Sequence, residues 1–576
     1  RAKGLRRRRH VGRVRSLAGA RGGTRAVIHY EIFVTPHSSL FIGGYAEASG
    51  QSDGDTAADA AGLLLPGSAV KGALRESAVR LVRGAGKGED LLRRLFGEEE
   101  KVEGRIRLTP LRVELAQEEN GASARDLLTP TDRMHVGLDR RLKQAAPQRL
   151  FHNRVTTAGQ GLRFRGLLTA LEPLSGDELA FLHAVISLTD QVGAGRGRGL
   201  GLVAIELGDP VEECTALEVP HADALVLVLE ALEPLQLAGV KDSSNYTACK
   251  DYLDGSMLRG AVAARLRDGD LENVMGGGAP VCFGDGRPGG LSSFPAPLTL
   301  NEPKGGGALY DEAAVLAAEV LTGRRIPRPE NLRRVEGTIF LYEKVWTRVQ
   351  LKRRTITRAA RDHATGKAAH RRLFSLEVVD PYLTGAKGEE DTPLRLFAAV
   401  AGRPEQLSRV VEAAQGGLYV GGDRNRGLGH LRLAAVLADA TLPALAERHQ
   451  RWVRLLGGLN VPQPEATGVL VALGPLAVEP RRLQQALAAR GLELVHGVSR
   501  RQIHGGWNSR AALPRSLGSH YVPGSTFIVR RQDGTSALPA LDQLETEGLG
   551  PGRPDGWGRL VACHPLHVDH AKEVKA

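Results

Sequence analysis

Apolar and polar residues alternate over 26–35, the period of a half-buried strand. Beyond a polar, glycine-rich stretch at 43–62, Val70, Ala73, Leu74, Ala78, Leu81 and Val82 fall close to one face of a helix. The same reading predicts a strand or hairpin at 102–115, strand pairs at 150–168, a helix at 175–192 and a strand at 202–207. The order then begins again, with a strand at 224–233, a helix from 253 and another at 404–415. A third, shorter run has a strand at 468–473, a helix at 481–490 and strands at 492–498 and 526–530.

Short motifs sit at corresponding places in these runs. The first helix opens on Pro66-Gly67-Ser68, a turn with Ser68 as an expected N-cap, followed by Lys71 and Arg75 one turn apart. The second opens on Asp254-Gly255-Ser256 with Arg259, and Pro523-Gly524-Ser525 echoes the pattern without the base. One such turn is an ordinary entry into a core helix. Repeated, with a base behind the free N–H groups of a helix start, it suits a phosphate.

Each run closes on a Gly/Arg loop: 195–201 with Arg196 and Arg198, 422–429 with Arg424 and Arg426, and 552–558 with Arg553. Glycine lets backbone approach a polyanion, and Arg offers forked donors to phosphate oxygens. A dinucleotide fingerprint should open a helix, whereas each loop here runs into a strand-like segment. No GxxxxGK[ST] phosphate loop occurs. A third landmark links the first two runs: Asp139 precedes Phe151 by the same spacing as Asp362 precedes Phe374, each Phe following an Arg-Leu pair. Shared landmarks in one order point to a duplicated domain.

Composition narrows the classes. A chain of 576 residues holds roughly three to four domains of ~150 residues. The net charge of +12 looks like nucleic-acid chemistry, but residues 1–25 carry ten Lys or Arg and no acid, which leaves the body near +2. That arm is expected to be flexible and to touch nucleic acid. Cys214, Cys249, Cys282 and Cys563 form no CxxC pair, which favours free thiols in a reducing compartment over a zinc finger. Apolar runs such as 224–229 are too short to span a bilayer, and 1–25 has no apolar signal core, so a cytoplasmic location without membrane contact is expected.

The pairing of a Pro-Gly-Ser-x-x-Lys/Arg-Gly helix start with an Arg-x-Arg-Gly-Leu-Gly loop resembles the RAMP superfamily of CRISPR-associated proteins. The resemblance covers about 26–565 and implies an α+β chain of tandem ferredoxin-like (RRM-like) RAMP domains with inserted β-hairpin and loop segments. Residues 26–210 resemble a backbone subunit of a type III effector complex. Residues 221–565 resemble the type III-D subunit that caps the crRNA 5′ handle, divided into a second RAMP domain at 221–440 and a degenerate ferredoxin-like half at 460–565, with a tail at 566–576. The chain thus reads as a fusion. The implied partners are crRNA, target RNA, further RAMP backbone subunits and a large cyclase-type subunit of an antiviral surveillance particle. Ser68, Lys71, Arg75, Arg140, Arg141, Arg196, Arg198, Ser256, Arg259, Arg424, Arg426 and Arg553 are the expected RNA contacts.

In the family's backbone subunits, an Asp in the loop before the helix start is associated with metal-dependent cleavage of target RNA. Asp53, Asp55 and Asp59 occupy that loop here, and Asp53 or Asp55 is the expected catalytic carboxylate and Mg²⁺ ligand of an endoribonuclease. Two alternatives stay open. One is a crRNA-binding scaffold with catalysis elsewhere in the particle. The other is a precursor-RNA processing endonuclease, for which His496, His504 and Tyr521 are the residues available.

Overall fold

The computed structural model describes the chain apart from residues 1–26, 43–56, 60–61, 99–101, 116–130, 140, 157–161, 212–216, 239–244, 277, 306, 343–344, 362–367, 384–390, 439–441, 506, 509–512, 515–516 and 572–576. It is a mixed α/β protein built on three antiparallel sheets, and one succession of elements recurs in all three.

The first unit runs β1 (Ile28–Pro36), α1 (Gly67–Ala85), β2 (Leu111–Leu115), β3 (Leu162–Ala170), α2 (Gly176–Ser187) and β4 (Val203–Val211). Its strands lie in the order β4-β1-β3-β2, with Ile106–Leu108 also pairing to β3. The second unit repeats this with β5 (Ala224–Ala231), α3 (Gly255–Ala263), β6 (Cys282–Pro288), β7 (Arg395–Ala401), α4 (Pro404–Gln415) and β8 (His430–Ala438), ordered β6-β7-β5-β8. The third has β9 (Thr467–Ala472), α5 (Pro480–Ala488), β10 (Leu492–Val498), β11 (Thr526–Arg531), α6 (Leu538–Glu547) and β12 (Leu560–Ala562), ordered β10-β11-β9-β12. In every unit the first strand is flanked by the third and the fourth.

Each sheet covers its helices with one apolar face. Ile32, Val34, Phe164 and Leu168 meet Val70, Leu74, Ala78 and Val185 in the first core. Leu225, Leu227, Phe283 and Leu396 meet Leu258, Val262, Leu407 and Val411 in the second. The third core draws on Val469, Phe527, Leu483 and Leu541, and also takes Ala317 of a helix at Ala313–Thr322 and Trp452 of a helix at Leu445–Gly458. The small side chains of Ala313–Thr322 let that helix lie close to its neighbours. Its entry is fastened by Asp311, whose buried carboxylate meets His567 Nδ1 at 2.9 Å and accepts from Thr299 Oγ1 at 2.8 Å and Ala313 N at 2.9 Å.

Hairpins stand off the first two units. Thr131–Asp139 pairs with Gln144–Val155, and Arg353–Arg361 with Ala368–Val379. Phe151 lies opposite His135 and Phe374 opposite Arg358, while Asp362 lies outside the described residues. Asp139 closes the first hairpin tip, its Oδ1 accepting from Arg141 N at 2.8 Å and Leu142 N at 3.1 Å.

One local expectation changes. Ser68 does not cap α1: Pro66 is the N-cap residue, the helix begins at Gly67, and no side chain caps its start. Pro523-Gly524-Ser525 enters β11, the strand expected at 526–530, and a Cβ on Gly524 (φ +88°) would lie 2.2 Å from Ala296 O. The helix between the first two strands of the third unit starts instead at Pro480, after Glu479.

Candidate nucleic-acid interface

The three Gly/Arg loops share one conformation. Each makes a single 3₁₀ turn, at Arg196–Arg198, Arg424–Arg426 and Arg553–Asp555. Left-handed residues flank each turn: Gly195 and Gly199, Asp423 and Gly427, Gly552 and Gly556. The last glycine of each loop closes it. A Cβ on Gly201, Gly429 or Gly558 would come within 2.4, 2.0 or 2.2 Å of the carbonyl oxygen of Val192, Val420 or Leu549, and that residue's N–H donates back to the glycine. Loop closure therefore accounts for these glycines, and the arginines are what the turn presents.

Two of the loops sit on the preceding unit's helix start. Gly427 lies against Ser68, where a Cβ would be 3.5 Å from the Ser68 nitrogen, and Arg424 reaches Glu103 at 3.6 Å. Asp555 and Gly556 lie against the start of α3, with Arg259 Nη1 to Asp555 Oδ1 at 3.2 Å. The helix starts accept this because their first glycine is flush with the sheet: a Cβ on Gly67 or Gly255 would be 2.1 Å from Leu108 O or Phe283 O. At the second seam Asp285 Oδ1 accepts from Gly255 N at 3.0 Å, and Arg287 bonds both Asp285 and Leu473 O at 3.2 Å.

The predicted contacts divide accordingly. Lys71 faces inward, 7% exposed, with Nζ donating to Ile106 O at 2.8 Å. Burial, with Arg107 beside it, lowers its pKa to about 7. Lys71 thus lies inside the fold rather than on its surface. It belongs to a buried cluster at the first seam: Arg107 pairs with Glu103 at 2.6 Å, and its guanidinium sits 5.7 Å from the Tyr419 ring centre. Glu233, fully enclosed there and accepting from His430 N at 3.3 Å, is pushed up to about 8 by burial. Arg259 is spent on Asp555 and Met275 O. Arg553 donates to Glu547 O.

Ser68, Arg75 and Ser256 are half-buried at or near the seams. Arg198 and Arg426 lie on the exposed edges of their loops, and Arg141 on an exposed hairpin tip. Arg196 bonds Glu76 at 2.8 Å and Gly193 O at 3.0 Å. It lines an open concavity of about 550 Å³ together with Phe41, Asn153 and Arg198.

Asp53, Asp55 and Arg140 lie outside the described residues, as does the basic arm at 1–25. The ends of the acidic segment are described. Ala57 N donates to Ile42 O at 3.2 Å, and Phe41 forms an isolated bridge with Ala194, so the segment is rooted beside the first Gly/Arg loop. Among the described residues no group of three or more His, Cys, Asp or Glu side chains is gathered to hold a metal. Burial raises the thiol pKa of Cys249 to about 11 and of Cys563 to about 12, so both stay protonated packing groups. Among the described residues no helix is long and apolar enough to cross a membrane.

Sequence reading misses one ring cluster, formed by His504, His520 and Trp557 at the third loop with centroids 4.9–5.7 Å apart. His504 is the one member that the sequence singles out; its neighbours come from different segments and share no spacing.

Fold and loops together define a tandem-repeat α/β protein whose units are joined loop-on-helix. Residues 34–204 match the family model of the RAMP superfamily. No curated protein matches the chain. Solved structures resembling it are chains of the Type III-B Cmr-beta particle. The apo-state chain is 13% identical, with 31% of this chain and 96% of that one covered at a TM-score of 0.24. A chain of the particle bound to cognate target RNA and AMPPnP is 12% identical over 56% of this chain and 89% of that one, at 0.32. A chain of the form bound to cognate target RNA is 18% identical over 32% and 60%, at 0.25.

Proposed function

We propose that this protein is a subunit of a type III CRISPR RNA-guided complex, and that its units are tandem ferredoxin-like RAMP domains which hold crRNA along the phosphate backbone. The observation that carries the reading is the threefold Gly/Arg turn, with Arg198 and Arg426 on exposed edges of successive units. Glycines spent on loop closure and few aromatic residues favour backbone tracking over base stacking. In this reading the hairpins built on Thr131–Asp139 with Gln144–Val155 and on Arg353–Arg361 with Ala368–Val379 act as thumbs against a guide–target duplex, and Met134 lies exposed (73%) on the first of them.

Asp53 or Asp55 is proposed as the Mg²⁺-dependent carboxylate for target-RNA cleavage, supported by the rooting of their segment at the concavity lined by Arg196 and Arg198. Bound there, the cation would supply charge neutralisation at the scissile phosphate.

One experiment tests both levels. The particle purified with the tagged chain is expected to contain RNA of discrete length, which the combined Arg198→Glu and Arg426→Glu variant loses while keeping its melting temperature. Asp53→Ala or Asp55→Ala should abolish one target cleavage product without changing target affinity. An RNA-free monomer refutes the subunit reading. Normal cutting by the double Asp variant leaves a scaffold subunit.

A further inference from the structure

The third Gly/Arg loop departs from the other two at two positions. Where they carry the exposed Arg198 and Arg426, it carries Asp555, whose carboxylate accepts from Arg259 at 3.2 Å. Where they carry Leu200 and Leu428, both buried, it carries Trp557, which is only half-buried. The packing role at that position is shared. Leu200 folds over Gly195 and Trp557 over Gly552, so that a Cβ on either glycine would lie 2.8 or 2.7 Å from the covering side chain. The indole is larger than this role needs. It meets a two-stranded ribbon in which Arg501–His504 pairs with Gly518–Tyr521. Gln502 lies opposite His520 in that ribbon, so His504 and His520 share one face, and both reach Trp557. Their ring centres are 5.4 and 4.9 Å from the indole, at steep interplanar angles of 73° and 63°.

The ribbon falls between β10 and β11, the same point in the order of elements as the hairpins of the first two units. In the first unit the hairpin and the Gly/Arg loop line one concavity, through Asn153 on one side and Arg196 and Arg198 on the other. The ring cluster occupies the corresponding corner of the third unit. We infer that this corner is a stacking site for one unpaired base of a single-stranded RNA, with Trp557 as the platform and His504 and His520 flanking it. This rests on the reading of the chain as an RNA-holding subunit. The two exchanges change what the corner can bind. An exposed guanidinium takes a phosphate, whereas here that position holds an acid already paired with Arg259. Arg501 is held by Glu479 at 3.1 and 3.2 Å. Burial, with Arg501 nearby, lowers the pKa of His520, so that imidazole is uncharged at pH 7. A ring surface without free charge attracts a base by stacking rather than a phosphate by charge. Packing alone does not call for tryptophan, since leucine covers the turn in the first loop.

The test uses the full chain and the guide RNA recovered from its particle, resynthesised with a single abasic nucleotide at each position in turn. Trp557→Leu installs the residue of the other two loops and is expected to keep the melting temperature. It should weaken binding of the intact RNA roughly 5- to 150-fold, the weight of one stacked base. Trp557→Phe should lose less. With the wild-type chain, one abasic position is expected to weaken binding by the same factor, and that position should have no effect on Trp557→Leu. The dependence of affinity on salt should be the same for both chains, because stacking releases no counterions. Equal affinity of wild type and Trp557→Leu overturns the inference, as does a shallower salt dependence of the variant. Should Trp557→Leu fail to fold, the abasic series on the wild-type chain decides, and the lack of any sensitive position overturns the site. A protein segment over Trp557 in electron cryomicroscopy of the particle overturns it too. Tight RNA binding indifferent to Trp557→Leu refutes the stacking site alone, whereas a wild-type chain that binds no guide RNA refutes the subunit reading as well.

Discussion

Lys71→Met separates the two roles open to that lysine. Burial with Arg107 alongside takes its pKa from 10.5 to about 7, so at about 1.4 kcal/mol per unit the charged form costs on the order of 5 kcal/mol to hold inside below pH 7. Methionine fills a similar volume and carries no charge. Losing the bond to Ile106 O leaves a carbonyl unpaired, at about 1–3 kcal/mol. The variant should therefore be more stable than wild type at pH 6 by about 2 kcal/mol. The pH trend has a definite sign. Between 7 and 10.5 the unfolded chain binds the proton and the fold does not, so wild-type stability rises across that window. The advantage of methionine should shrink as pH climbs and be gone by about pH 9. Scanning calorimetry at pH 6 and pH 9, beside filter binding of guide RNA, reads both roles. A variant with unchanged melting at both pH values and weakened RNA binding would show that Lys71 faces a phosphate after all.

Three further outcomes rest on buried groups and tight turns. Glu233, raised from 4.5 to about 8 by burial, holds its proton in the fold across that range while the unfolded chain does not, so its contribution is lost as pH rises from 4.5 to 8. Glu233→Gln should flatten melting temperature against pH over that interval. Gly429→Ala forces a left-handed alanine whose Cβ would lie 2.0 Å from Val420 O, and should cost about 2–4 kcal/mol in urea unfolding. Asp311→Ala removes the buried partner of His567 and should cost about 3–5 kcal/mol, read as an earlier calorimetric transition.

Much of this molecule is local and can be read from the chain. Periodicity locates β1, α1, β5 and β9, because an amphipathic element carries its own burial pattern. The Gly/Arg loops and the Asp–Phe spacing expose the duplication, because each is a compact structure formed by neighbours in sequence: a closed turn in one case, a hairpin of fixed register in the other. Where a residue faces is different. A base three positions after Ser68 has the same spacing whether it meets a phosphate or a carbonyl, and only the approach of Ile106–Leu108 turns Lys71 inward. Pro-Gly-Ser signals a turn without fixing the element that the turn enters, and Pro523-Gly524-Ser525 leads into a strand whose entry is held by Ala296. The seams lie furthest from sequence reading. Gly427 on Ser68 and Asp555 on Arg259 join residues remote along the chain, and such contacts leave no period or spacing. They decide which helix starts are covered, because a surface is free only when nothing else in the fold has filled it.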